Sequence, residues 1–484
     1  MNPYVYDFLK KALGQVKYKK MHAYLAQELN DHIESLKEEM VGQGLDEETA
    51  YQKAVDQMGR PEVIGKSLHE IHKPRIEWGL VFIIIGIIFT GIFSLGVYTS
   101  NYPEVRYFEK QLLFIAMGIV SFLILYYIEY SKLEKISGQL YIVASITIIV
   151  ASVTGISVNG IARWLAIGPI MIKATHIAMP LFILSYVGFT RKWANRGVLG
   201  YTLLTGTAII AVLLCMGIQS IESIYLAVTF LGIFIAYIMS KAFKGNRKRV
   251  GITLLGGSIL GMGLGASFIL SAPWRVKRIM AWIDPSIDPV GEGYLTNNIR
   301  EILSGAIWFG KGEGIKIEHM NQYLPSVSSD FIFTFIIGTM GYLVAAGIVL
   351  LVGIMLIRCF NAVKKVNDEY GRMLLNAISI FFAIQYIMSL LMNIGVMPVM
   401  GNSIPFISYG GSRIILDLGM MGFFLGIYRR KDIVPYELLK AKEESHRMRK
   451  TRNKRYNHFI LGWALNVLRT SKEIEEVCIT FKQR

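Results

Sequence analysis

Residues 78–98 read WGLVFIIIGIIFTGIFSLGVY, from Trp78 to Tyr98, without one charged side chain. As a helix such a run is long enough to cross the hydrocarbon core of a bilayer, which takes about 20 residues at about 1.5 Å each. Nine further apolar blocks of this kind follow, roughly at 111–128, 140–157, 170–189, 198–216, 221–240, 250–271, 330–357, 374–393 and 404–427. Of the 484 residues 53% are hydrophobic and 18% are charged, where a soluble globule carries about one-quarter charged residues. A soluble core does not repeat such runs this often. The reading is an all-α, polytopic membrane protein of about ten transmembrane helices. The start, MNPYVYDFLKKALGQ, has no apolar core and no small-residue cleavage site, so no cleavable signal peptide is read there. Cys215, Cys359 and Cys478 have no spacing that suggests a metal site or a disulfide framework.

The net charge of +16 is unevenly distributed. Every even-numbered span exits into a basic segment: EYSKLEKIS, TRKWANRG, KAFKGNRKR, RCFNAVKKVNDEYGR and the tail that begins RRKDIVPYELLK. The odd exits GIQS and NIGVMPVMGNS carry no Lys or Arg, and SVNGIARW carries one Arg. Lys and Arg in short loops mark the cytoplasmic side. Both termini and the loop 241–249 are therefore expected inside a bacterial cytoplasmic membrane, and the long loop 271–329 outside. The surplus charge follows from topology and contact with anionic membrane lipids. It does not point to nucleic acid.

Three units are expected. Residues 1–75 read as a small helical cytoplasmic domain. Leu25, Leu29, Ile33 and Leu36 share one helical face, Gly44 marks a stop, and Asp46 ahead of Glu47 and Glu48 is an N-cap start. RPEVIGKSLHEIHK reads as one more short helix, and His22, His32, His69 and His72 as surface residues. The segment is similar to the helical prefix domain of various bacterial permeases. Residues 76–428 form the membrane domain. Residues 429–484 are a basic cytoplasmic tail, where Phe459, Ile460, Trp463, Val467 and Leu468 cluster as on an amphipathic helix. That helix either lies on the inner leaflet or packs as an ordinary helix on the N-terminal unit.

Few polar residues fall at membrane depth, so chemistry is expected at the outer face. Three clusters stand there. The first is SVNGIARWLAIGP, with Arg163 and Trp164. The second is the long loop, with WRVKRIMAWIDPSIDPVGEGY, then FGKGEG, then YLPSVSSDFIFTF. The third is MNIGVMPVMGNSIPFISYGGSRIIL, whose Pro398, Gly401, Pro405, Gly410 and Gly411 imply non-helical backbone at membrane depth. Such backbone must line a cavity or be covered by protein.

In this order the clusters resemble the SEDS family, the FtsW, RodA and SpoVE proteins of bacterial cell-wall synthesis. The long loop matches the patterns D-P-x-G-x-G-Y, F-G-x-G-x-G and L-P-x-x-x-x-D-F-I-F. The third cluster matches N-I-G-V and P-F-I-S-Y-G-G-S, and the first N-G-x-x-R-W-x-x-x-G. The resemblance covers about residues 78–428. It implies a peptidoglycan glycosyltransferase that polymerises lipid II, a disaccharide-pentapeptide on undecaprenyl pyrophosphate, beside a class B penicillin-binding protein with transpeptidase activity. Asp288 stands where the family carries its essential acidic residue.

A base must take the proton of the acceptor hydroxyl as it attacks the donor's anomeric carbon. One carboxylate suffices, because the leaving group is already a pyrophosphate. Cations must stabilise that group. Arg275, Lys277, Arg278 and Lys311 surround Asp288 in sequence. Pro289 restricts the backbone beside the carboxylate, while Asp284 reads as turn structure. Arg163, Trp164, Asp330, Ser408 and Ser412 lie in the matching motifs and are expected on the substrate. No cofactor follows from the motifs; a divalent cation, Mg or Mn, is an alternative counter-charge, and its ligands are not defined by the sequence.

The chain also departs from the family. Where Q-P-S-E-x-x-K is usual it has Lys173, Ala174, Thr175, His176, Ile177, Ala178 and Met179. The residues after Tyr294 include Leu295, Asn298 and Ile299 in place of two Gln and a Ser. Ser326 and Ser328 replace Glu and His, and Gly338 and Thr339 replace an acidic pair. These losses leave two further readings open beside the enzyme: a non-catalytic protein that binds a lipid-linked precursor or scaffolds a synthase complex, and a transporter of such precursors.

Overall fold

The computed structural model describes residues 2–431 except 103–104, 159–160, 168–169, 194–195, 219, 240–255, 257–262, 264–266, 268–269, 272, 313–319 and 400. The loop 241–249, the tail from 432 and nearly all of the block 250–271 lie outside the described residues. The chain divides into two compact units, Met1–Lys73 with Asp432–Arg484, and Pro74–Lys431.

In the first unit the described part is four helices, α1 (Pro3–Gly14), α2 (His22–Gly42), α3 (Glu47–Met58) and α4 (Pro61–His72). The Asp46 carboxylate accepts the Thr49 N–H at 3.0 Å and caps α3. Gly44, at φ +95°, takes the left-handed conformation that turns the chain out of α2. Leu29 and Ile33 of α2 close a core with Val5, Phe8, Leu9 and Ala12 of α1, while Leu25 packs with Val16 and Met21. Helix α1 was not anticipated. Asn2 starts it by accepting the Tyr4 N–H at 3.0 Å, with Pro3 in its first turn.

The second unit is a helical membrane domain. Its helices are α5 (Trp78–Asn101), α6 (Tyr107–Tyr127), α7 (Ser131–Lys135), α8 (Ser137–Thr154), α9 (Ala174–Trp193), α10 (Val198–Ile218) and α11 (Ser220–Met239). After the segment outside the description come α12 (Pro273–Ile283), α13 (Tyr294–Gly305), α14 (Met320–Tyr323), α15 (Ile332–Met340), α16 (Tyr342–Lys364), α17 (Glu369–Asn393) and α18 (Gly411–Arg429). Among the described residues eight helices are long and apolar enough to cross a membrane: α5, α6, α8, α10, α11, α16, α17 and α18. The chain is a multi-pass membrane protein. Its outer surface is apolar, as contact with lipid requires: Phe82, Ile85, Phe89 and Phe93 of α5 are exposed, and Leu80, Ile84, Ile87 and Leu95 on the other side are buried.

Three expectations need correction. The block 170–189 is helical only from Ala174, because Ile170–Lys173 is a strand. Its helix α9 is buried on nearly every side and contains Pro180. The block 330–357 is two helices, because Gly341 breaks the path at φ +92°. Helix α15 is buried for eight of its nine residues. Between α8 and α9 the chain forms a three-stranded antiparallel sheet, β1 (Ile156–Val158), β2 (Ile161–Ile167) and β3 (Ile170–Lys173), which the helical reading had not foreseen. The long loop, in turn, contains the helices α12, α13 and α14.

The closest helix pairing is α6 on α18. A side chain at Gly422 would collide with the backbone of Phe122, and one at Gly426 with the backbone of Tyr126. Small residues let membrane helices approach this closely. At one end of the bundle Arg430 donates to the Tyr127 carbonyl at 2.8 Å, Arg191 pairs with Glu134 at 3.0 Å and Arg358 with Glu77 at 2.8 Å. The C-termini of α6, α9, α16 and α18 and the N-terminus of α5 therefore share that end, as alternating spans must.

Candidate active site

Asp288 follows a short 3-10 turn, Pro285–Ile287, between α12 and α13. Its carboxylate meets the Lys277 ammonium at 2.9 Å through Oδ2. The backbone N–H of Gly291 donates to Oδ1 at 3.2 Å and that of Glu292 to Oδ2 at 3.2 Å. The Lys277 hydrogen bond first, and then the Glu292 N–H, hold this carboxyl below the usual carboxylate range. Lys277 comes from α12 and its side chain is 58% exposed, whereas the Asp288 side chain is 22% exposed and also held by backbone N–H groups. Arg278 Nε pairs with Glu292 Oε2 at 2.9 Å beside it. The first Asp-Pro step differs: Asp284 accepts from the Ser286 N–H at 3.0 Å and its hydroxyl at 2.6 Å, and only closes a turn.

The glycines of G-x-G-Y have a steric reason. A Cβ at Gly291 would fall 2.7 Å from Asp288 Cγ, and one at Gly293 would fall 2.8 Å from the Asp288 carbonyl oxygen. The carboxylate lies folded over Gly291. Gly291→Ala should therefore push Asp288 off its two N–H donors and lower turnover by about tenfold or more, while the purified protein keeps its elution profile and melting midpoint. Parental turnover in that variant would show that the carboxylate position does not matter.

The rest of the loop is pinned by backbone pairing. Gly310 N–H donates to the Met340 carbonyl at 3.0 Å and Gly312 N–H to Gly338 at 2.9 Å. Tyr342 and Leu343 N–H donate back to Ile307 and Trp308, each at 3.0 Å. Lys311, between the two glycines, is exposed. Tyr294 donates its hydroxyl to the Gln322 carbonyl at 3.1 Å and Asn298 its amide to Tyr323 at 2.7 Å, which fixes α13 to the segment before α15.

The third cluster leaves the helical path after Asn393 and is covered by protein. Asn393 binds Thr334 of α15, accepting its N–H at 3.0 Å, and donates to the Asp330 carbonyl at 2.9 Å. Ser408 is buried, accepts the Ile404 N–H at 2.8 Å and donates to the Ser329 carbonyl at 2.6 Å. The Asp330 carboxylate faces the α-carbon of Gly401, 3.5 Å from where a Cβ would stand. Ser412 Oγ lies 3.3 Å from His176 Nδ1.

A further polar group was not singled out from the sequence. Lys173, at the end of β3, forms a buried ion pair with Glu222 of α11 at 2.6 Å. Arg413 of α18 pairs with Asp417 at 2.9 Å and donates to Gln385 of α17. Each of these is a polar residue inside an apolar block, which is a signal of function at membrane depth. The reading that few such residues exist undervalued them, because Lys173 and Glu222 are 49 residues apart and only the fold joins them. Trp164, on β2, is the cross-strand partner of Lys173.

The expected site residues with described side chains therefore form three groups and one isolated residue. Asp288, Lys277 and Arg278 make one. Trp164 lies across the ladder from Lys173, and Ser412 meets His176 three residues further on. Asp330 and Ser408 hold the third cluster to the approach of α15, and Lys311 stands apart on the surface. The side chains of Arg163 and Arg275 lie outside the described residues. Among the described residues no three His, Cys, Asp or Glu side chains gather to hold a metal ion.

The model of the FtsW, RodA and SpoVE cell cycle protein family matches residues 75–433. The chain belongs to that family. A probable peptidoglycan glycosyltransferase FtsW of Thioalkalivibrio sulfidiphilus is 27% identical over 383 residues, covering 75% of this chain and 92% of that protein. One from Pseudoalteromonas translucida is 29% identical over 364 residues, covering 73% and 87%. Among solved structures, a chain from a peptidoglycan synthase complex described as coordinating polymerization and crosslinking superposes with a TM-score of 0.60 at 21% identity, covering 74% of this chain and 98% of that one. The rod shape determining protein RodA of Thermus thermophilus gives a TM-score of 0.51 at 19% identity, covering 74% and 97%. At these identities the structures speak for the fold alone.

Proposed function

We propose that this FtsW/RodA/SpoVE family member is a peptidoglycan glycosyltransferase that polymerises lipid II at the outer face of the bacterial cytoplasmic membrane, with Asp288 as general base. The observation that carries this reading is the Asp288 carboxylate itself: held ionised by the Lys277 ammonium and then by backbone N–H groups, with the Arg278 guanidinium nearby. In the reaction the acceptor hydroxyl oxygen attacks the donor's anomeric carbon and gives its proton to Asp288. The bond from that carbon to the undecaprenyl pyrophosphate breaks, and the pyrophosphate leaves with the electron pair. Lys277 and Arg278 stabilise its charge. Lys277 must leave Asp288 to do so, and its exposure permits the exchange. Arg275 and Lys311 extend the basic surface, and Arg163, Trp164, Asp330, Ser408 and Ser412 contact or frame the lipid-linked substrate. A polymerisation assay with purified protein and lipid II tests this directly. Binding without polymer would instead establish the non-catalytic, precursor-binding reading, which the ammonium already seated on Asp288 favours.

The depressed Asp288 titration makes a pH prediction. A base works only when ionised, and Lys277 sits on Asp288 in the free enzyme, so the acidic limb of kcat/KM for polymerisation lies below the usual carboxylate range. Lys277→Met removes the main cause of the depression, so the acidic limb should move to higher pH. An unmoved limb would exclude Asp288 as the titrating base.

The membrane domain is arranged with both termini in the cytoplasm and 271–329 outside, on the grounds of the basic exits. In intact cells a cysteine placed at Ser286 should react with an impermeant maleimide and one placed at Asn246 should not; the reverse pattern inverts the topology. In their sequence residues 1–75 carry no acid, base or nucleophile constellation. This prefix modulates or recruits and does not catalyse. A chain starting near Pro74 should retain polymerase activity in vitro if the full chain has any, and loss of turnover in a folded protein would refute this. The partner is a class B penicillin-binding protein, which crosslinks the new strand.

A further inference from the structure

Helix α16 changes character along one face. Leu343, Leu350, Ile354 and Ile357 are exposed there at helical spacing, as a lipid-facing stripe is. Towards the end of the helix the same face carries Arg358, Asn361 and Lys365, all exposed. Positions 354, 357, 358, 361 and 365 stand at i, i+3, i+4, i+7 and i+11, so they line up on one side. A cavity of about 290 Å³ lies where the apolar stripe meets the polar end. It is lined by Glu77, Ile354, Ile357, Arg358, Asn361 and Lys365. Gly79 lets the Arg358 guanidinium lie against α5, since a Cβ there would strike it. Arg358 donates through Nη1 to Glu77 Oε1 at 2.8 Å, and its side chain remains 44% exposed. Among the described residues the Asn361 amide and the Lys365 ammonium make no hydrogen bond or ion pair.

The charges select the occupant. Two cations, Arg358 and Lys365, and one carboxylate, Glu77, leave the cavity at +1. An anion of one charge balances it, and a dianion does not. Ile354 and Ile357 face lipid, so the anion that fits this wall carries acyl chains. The volume is at the small end of ligand pockets, which run from roughly 300 to 1,000 Å³. It admits a headgroup, and the chains of a whole lipid stay outside, against the stripe. Basic pockets between transmembrane helices on the cytoplasmic side take anionic headgroups in this way.

We propose that Arg358, Asn361 and Lys365 form a seat for the headgroup of one anionic phospholipid of the inner leaflet. Its phosphodiester lies between the Arg358 guanidinium and the Lys365 ammonium, a headgroup hydroxyl meets Asn361, and the acyl chains run along Ile354 and Ile357. The leaflet follows from the proposed topology. The lipid chemistry does not, and neither depends on the glycosyltransferase reading.

Native mass spectrometry of the purified full-length protein in detergent tests the seat, with titration of phosphatidylglycerol or of zwitterionic phosphatidylethanolamine with the same chains. The protein should retain one phosphatidylglycerol at concentrations where it retains no phosphatidylethanolamine. Lys365→Gln should weaken that binding by about fivefold, the effect of one basic residue on an anionic lipid. Lys365 has no partner to lose, so this variant should keep the parental melting midpoint. Lys192→Gln removes the same charge from the end of α9, outside the cavity, and should bind as the parental protein does. Equal loss in both variants would mean diffuse attraction to a basic surface. Equal retention of the two lipids would mean that charge does not select. Displacement of the lipid by sn-glycerol 1-phosphate at comparable concentration would mean that the apolar wall plays no part. Each of these three results overturns the inference.

Discussion

Asp288→Asn should lower lipid II polymerisation by about 10²–10⁴-fold, the contribution of a positioned general base, with the protein still folded. A carboxamide keeps the size and planar shape of the side chain, and its oxygen can still accept from Gly291 or Glu292 N–H. It cannot take a proton from the acceptor hydroxyl, and it loses the Lys277 ion pair, which is on the surface and contributes little to stability. Asp284→Asn should fall far less, since Asp284 only accepts from Ser286. Arg278→Ala should weaken donor binding as well as turnover. Steady-state polymerisation by the four proteins, with circular dichroism to monitor folding, separates these expectations. Parental turnover by Asp288→Asn would remove the assigned base.

Lys173→Met should destabilise the membrane domain by about 3–5 kcal/mol, because it leaves the Glu222 carboxylate buried without its counter-charge. The pair joins the end of β3 to the first turn of α11, and the side chains are 9% and 6% exposed, so water cannot substitute for the lost partner. Lys173→Met combined with Glu222→Leu should recover most of the loss, since replacing both members of a buried pair is often near neutral. Thermal unfolding of the purified variants in one detergent reads the cycle. A single variant that melts with the parental protein would mean that Glu222 finds another donor.

The helical membrane architecture was legible in the sequence because lipid imposes a local rule. A run such as Trp78–Tyr98 has to be helical and about 20 residues long to satisfy its own backbone in hydrocarbon, and the alternation of basic exits orders the spans without any contact being known. The catalytic candidate was legible only through the resemblance of its motif to the family pattern, and the structure then supplied the motif's physical reason. D-P-x-G-x-G-Y is a local device, in which Gly291 and Gly293 make room for the Asp288 carboxylate and backbone a few residues away. The Asp46 cap of α3 is equally local.

What depended on distant partners was not legible. Nothing near Gly341 announces that the loop will return and pair Ile307 and Trp308 with Tyr342 and Leu343, breaking one apolar block into two helices. Nothing near Pro180 tells that its helix will be enclosed by others instead of by lipid. Lys173, Glu222, Arg413 and Gln385 each look like an isolated polar residue in an apolar block, and find their partners only when three helices and a strand meet. Apolar length and turn chemistry act over a few residues and are written in consecutive letters. The cost of burying a charge is settled by whatever the fold brings within about 3 Å of it, and that neighbour comes from anywhere in the chain.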